Sequence, residues 1–203
     1  MALRVLLLVS LLIPVGAVAG DEDVATGSFF LPTPDGWRTE TIPFPLGFAP
    51  ELEYEGVEEL RFAPGMFKAD SEDFWTYAFV WWISDRSSLD PGGLAKDLEF
   101  YFAGLTQAVA AERGFDASAA IHDVQLATVD GGGHDFEIEF EGGATIFDPF
   151  ATGETLSLNI RVQQILCPDE GRLAVVFELS PQPFIHQVWS SLAGIREGFR
   201  CSK

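Results

Sequence analysis

Ten consecutive residues from Phe74 to Ile83, Phe-Trp-Thr-Tyr-Ala-Phe-Val-Trp-Trp-Ile, contain no charge and are dominated by aromatic and β-branched side chains. Such a run is stable in water only as an interior strand covered over much of both faces, so the chain must build a sheet with material on either side. Strand alternation puts Trp75, Tyr77, Phe79 and Trp81 on one face and Thr76, Ala78, Val80 and Trp82 on the other. One face is bulky and the other mostly small. Two readings of the bulky row stay open. Either it is core beneath helices, or the helices lie on the small side and the row lines a groove for an apolar, sugar or peptide ligand.

The flanking segments follow the same logic. Trp37 to Phe44 suits a first strand that Pro43 and Pro45 end, and Val57 to Ala63 alternates around Leu60 and Phe62 before a Pro64-Gly65 turn. The period then changes from two to about 3.6. Asp90 is a good N-cap, Pro91 fits the first helical position, and Leu94, Leu98, Tyr101, Phe102, Leu105 and Val109 form one stripe ending before Gly114. Ala120 to Val129 predicts a strand, Gly131-Gly132-Gly133 a turn, and His134 to Glu141 a strand with Phe136, Ile138 and Phe140 facing away from Asp135, Glu137, Glu139 and Glu141. Leu156 to Val162 and Leu173 to Leu179 complete a meander around the turn at Pro168 to Gly171. Pairing Phe140 with Leu156 places Asp135 opposite Arg161, and the second turn places Glu178 opposite it from the other side. A second helix is expected from about Pro183, with the stripe Ile185, Val188, Leu192, Ile195 and Phe199.

Strands largely segregated from two amphipathic helices predict an α+β domain, an antiparallel sheet of six or seven strands with the helices packed against it. That element order, over Trp37 to Cys201 and closing with a helix at Ile195 and Phe199, resembles the PsbP/Mog1-like group. The resemblance implies a protein that binds partners or helps assemble complexes. It transfers no functional residue.

Residues 1–19 read as a cleaved secretory signal: Arg4 is a short positive n-region, Val5 to Val15 an apolar h-region, and Ala17-Val18-Ala19 the small-residue pattern cut before Gly20. The chain is expected to be exported, to the periplasm or the exterior, with no stable membrane span after cleavage. Residues 20–36 read as a flexible acidic leader and 37–203 as the single domain. A formal charge of −19 repels phosphate backbones and attracts cations or basic proteins, so nucleic acid is not an expected partner. The only cysteines, Cys167 and Cys201, are expected to pair in an oxidising compartment, closing a loop of roughly 35 residues for about 4 kcal/mol by chain entropy.

The searchable chemistry is sparse. The sequence has no G-x-S-x-G, H-E-x-x-H, Walker loop, G-x-G-x-x-G or C-x-x-C. His122-Asp123 with His134-Asp135 would supply two ligand pairs across the glycine turn but no further histidine or cysteine, and Asp70, Glu72 and Asp73 lack the spacing of a calcium loop, so no metal or other cofactor is expected. His186 reads as a surface residue. The expectation is a non-enzymatic exported domain that binds a partner protein or a small apolar ligand, with Trp75, Tyr77, Phe79 and Trp81 as the candidate binding row. The alternative is a carboxylate-dependent hydrolase using Glu137 or Glu139 with His134.

Overall fold

Seven strands and two helices occur in the expected order: β1 (Arg38–Pro43), β2 (Gly56–Phe62), β3 (Tyr77–Ser84), α1 (Pro91–Arg113), β4 (Asp123–Thr128), β5 (Glu137–Phe147), β6 (Thr155–Cys167), β7 (Arg172–Ser180) and α2 (Val188–Glu197). The structure, a computed structural model, describes residues 31–84, 86–129 and 137–201. The signal segment, the leader up to residue 30, the glycine turn, His134, Asp135 and Phe136 lie outside the described residues. The strands form one antiparallel sheet in the order β1-β2-β3-β7-β6-β5-β4. The uncharged strand β3 lies between β2 and β7, as an apolar run must.

The helices divide the two faces between them. α1 starts where Asp90 accepts a hydrogen bond from the Gly93 N–H (3.0 Å) with Pro91 in the first turn, and it stops at Gly114 in the left-handed conformation. It buries Leu94, Leu98, Tyr101 and Phe102 against the bulky face of β3. Gly104 lets it approach the 44–52 segment, because a Cβ there would stand 1.9 Å from the Phe48 carbonyl oxygen. α2 covers the small face, packing Trp189, Leu192 and Ile195 on Ala78, Val80 and Val176. Both faces of β3 are therefore core, one on each side of the sheet.

Several boundaries differ from the sequence pattern, β4 for instance beginning at Asp123 and β6 running to Cys167, and three of the differences matter here. β3 begins at Tyr77 because Trp75 adopts a left-handed φ of 49°, which ends strand geometry there. α2 begins at Val188; residues 183–186 form a turn closed by the His186 N–H on the Pro183 carbonyl (2.8 Å), which leaves Ile185 96% exposed and outside the apolar stripe. β5 continues to Phe147, so its turn into β6 falls at 148–154 and Phe140 pairs with Val162 rather than Leu156. Arg161 consequently faces Glu141 in place of Asp135, while Glu178 is its neighbour on the other side as expected.

Two further ties hold the α2 side. Cys167 and Cys201 are disulfide-bonded with Cα atoms 5.5 Å apart, joining the end of β6 to the chain beyond α2. Within the stretch read as leader, Leu31 is buried in the α2 core, and the Arg61 guanidinium donates to its carbonyl (2.6 and 3.2 Å).

Candidate functional site

The four aromatic residues singled out by alternation are all buried on the α1 side, yet they have different surroundings. Phe79 stacks on Phe177 at 4.4 Å and on Tyr101 at 5.5 Å, and Trp81 meets Phe177 at 4.7 Å. These two are interior core. Trp75 and Tyr77, nearer the end of the sheet, border a cavity of about 290 Å³ between α1, the outer strands β1 and β2, and the 63–76 loop. Its walls are otherwise built from Phe62, Met66 and Phe67, from Tyr101 and Leu105 of α1, and from Phe150. The volume is about twice the ~150 Å³ of an engineered apolar cavity that admits benzene.

Local sequence explains how the walls stand. Successive tight turns in 63–76 bring the Trp75 N–H onto the Met66 carbonyl (3.0 Å) and the Ala63 N–H onto the Thr76 carbonyl (3.1 Å), folding the loop back over the sheet. The left-handed Trp75 turns its ring under this loop, where the indole N–H donates to Asp148 Oδ1 at 2.8 Å. Asp148 is itself fully buried and also accepts from the backbone N–H groups of Phe150 (2.9 Å) and Thr152 (2.7 Å), a turn stabilised by an Asx side chain. Phe150 is thereby set edge-on to Phe67 at 5.2 Å and beside Trp75 at 5.5 Å. A large left-handed side chain is costly, and it is held here by two parts of the chain at once.

Polar groups are few and placed at the margins. Glu40 is the one charged residue in the lining and is exposed on the edge strand β1. Beneath the walls lies Glu58, fully buried and sharing its sheet face with Leu60 and Phe62. Burial pushes its carboxyl up to about 8 against the opposing effect of hydrogen bonds from the Trp81 indole N–H (3.1 Å) and from Tyr101, so it is protonated at neutral pH. Burial likewise pushes the Tyr77 and Tyr101 phenols well up. Glu58 Oε2 and the Tyr77 hydroxyl have no hydrogen-bond partner among the described residues.

The acidic row of β5 lies on the opposite face, beside α2. Glu137 accepts from Gln163 (3.3 Å), Glu139 lies 3.6 Å from Arg196, and Glu141 bonds Arg161 at 2.8 Å. Arg161 also covers Phe184 at 4.5 Å, and Arg196 bonds the buried Glu178 at 3.2 Å. Burial pushes Glu178 up to about 7 in spite of Arg196 and Arg161. A mixed-charge pocket of about 220 Å³ sits among Glu139, Glu141, Arg161 and Arg196. Of the residues named for a hydrolase, Glu137 and Glu139 are on this face and His134 is outside the described residues.

Among the described residues no group of three or more histidine, cysteine, aspartate or glutamate side chains converges as a metal site, and no helix is long and apolar enough to cross a membrane. His122 is half-buried, which pushes its imidazole down, and His186 accepts the Val188 N–H at Nδ1 (3.3 Å). Sequence patterning missed Asp148, Phe67 and Phe150, which meet the aromatic row only through loops. Glu58 carried a signal, since its parity within β2 is that of Leu60 and Phe62. No protein-family model and no curated protein matches this sequence.

Proposed function

We propose that this chain is an exported, non-enzymatic binding domain that holds a small apolar ligand in the cavity beside α1. The observation that carries this reading is the pre-formed aromatic cavity bordered by Trp75 and Tyr77, with its loop clamped by Asp148. Ligand sites of this kind are concave, apolar and few in polar groups. Export is supported by the signal-like residues 1–19 and by the disulfide, which persists in oxidising compartments. A binding role is also what the PsbP/Mog1-like element order implies, with assembly of a partner protein as its other form. The hydrolase reading is weaker, because Glu137 and Glu139 are engaged by Gln163 and Arg196 respectively, and His134, the histidine named with them, lies outside the described residues.

The test is titration with N-phenyl-naphthylamine, a neutral apolar fluorophore. Ala108 lines the cavity from an exposed position of α1, so Ala108→Trp fills the space without cutting into the core. Saturable one-to-one binding that Ala108→Trp abolishes, with an unchanged melting temperature, is the expected result. Absence of saturable binding, or binding that survives Ala108→Trp, rejects the proposal.

A further inference from the structure

We infer that the cavity takes an organic cation, an apolar body carrying an ammonium or quaternary ammonium head that seats beside Glu40. The inference rests on the cavity being a binding site and adds the chemical class of its occupant.

Three observations point to a positive head. Glu40 is the only charged residue in the lining, and among the described residues it has no ion-pair partner. An anionic ligand would bring its charge to this carboxylate with no lining cation to offset it. Much of the remaining lining is aromatic, and ring faces attract cations through their quadrupoles. The molecule already uses that attraction at the same rim: the guanidinium of Arg38 lies 4.7 Å from the ring centroid of Phe67, one of the lining residues. Arg38 and Glu40 share a face of β1, opposite Phe62 and Leu60 of β2, and project toward the α1 side two residues apart along the strand. Arg38 is thus engaged with Phe67 and makes no ion pair with Glu40 among the described residues. The whole-chain charge of −19 adds a long-range field that draws cations and repels anions.

A neutral ligand would gain the apolar walls alone, which makes the head group the discriminating variable. The experiment is isothermal titration of the full chain with octyltrimethylammonium, octanol and octanoate below their micelle concentrations, repeated with Glu40→Gln and Ala108→Trp. The ammonium should bind about tenfold more tightly than the alcohol, as expected for one cation–π and carboxylate contact at a partly exposed rim, and octanoate most weakly. Glu40→Gln should remove most of the ammonium preference and leave octanol unchanged, and Ala108→Trp should remove binding of both. Octanol binding as tightly as the ammonium, or an ammonium preference that Glu40→Gln leaves undiminished, overturns the inference of a cation seated beside Glu40 and leaves the cavity standing. Failure of all three probes overturns the binding proposal itself.

Discussion

Trp75 and Asp148 lie in different loops and meet in the interior, the indole N–H donating to the carboxylate at 2.8 Å. Asp148 is the common acceptor for that indole and for the 148–154 turn, so its removal strands the buried indole N–H together with the partly buried donors of the turn. A double-mutant cycle of Trp75→Phe with Asp148→Ala is expected to show a coupling of about 1.5–3 kcal/mol by urea unfolding, the range for a hydrogen bond to a charged group. Asp148→Ala alone should also weaken binding in the cavity, since Phe150 loses its support.

Truncation separates the two halves of the aromatic row. Trp81→Ala opens a hole against Phe177 and Tyr101, and a loss of about 3–5 kcal/mol is expected. Trp75→Ala sacrifices the Asp148 bond and keeps the left-handed cost, which comes from Cβ, but the ring it removes already borders a cavity and so has less packing to lose. Denaturant melts of the two variants should therefore show Trp81→Ala to be the more damaging.

Stability should fall as pH rises through the neutral range. The Glu58 carboxyl ordinarily titrates near 4.5 and is held in the folded protein up to about 8. Between these values the folded state binds a proton that the unfolded chain has released, so ΔG of unfolding declines with increasing pH and levels off above 8. Glu178, raised to about 7, acts with the same sign up to that pH. Thermal melts from pH 5 to 9 should show a declining Tm in the native chain and a shallower decline in Glu58→Gln. An unchanged slope in Glu58→Gln would count against the buried neutral carboxyl.

Removing the cross-link by Cys167→Ala with Cys201→Ala should cost about 2–4 kcal/mol, the usual range for a disulfide closing a loop of this size. Its effect should be local to the α2 side. Hydrogen exchange is expected to accelerate in 188–197 before it does in 91–113.

Much of the architecture was written in simple periodicities. The uncharged run forced β3 inside, and Asp90, Pro91 and Gly114 bracketed α1 because each satisfies a specific terminal backbone need. The β5–β6 register was not legible: Leu156 and Val162 are six residues apart, an even shift, so either partner for Phe140 preserves which side chains face the core. The start of α2 was hidden because Gln187 makes no side-chain cap and Ile185 falls on the stripe by spacing alone. Trp75 reached the side on which alternation placed it, but nothing in a tryptophan announces the left-handed backbone that ends the strand there. The cavity was only half visible for a related reason: strands and α1 supply part of its lining, but Met66, Phe67 and Phe150 come from loops that no local period brings together.

The attachment of Leu31 beneath Arg61 has a geometrical outcome for the whole molecule. Leu31 and Cys201 both belong to the apolar layer under α2, whereas the aromatic cavity opens on the α1 side. Leu31 and Cys201 thus lie across the sheet from the cavity. A tether, fusion or solid support attached next to Leu31 or Cys201 would sit on the opposite side of the sheet from the aromatic rim.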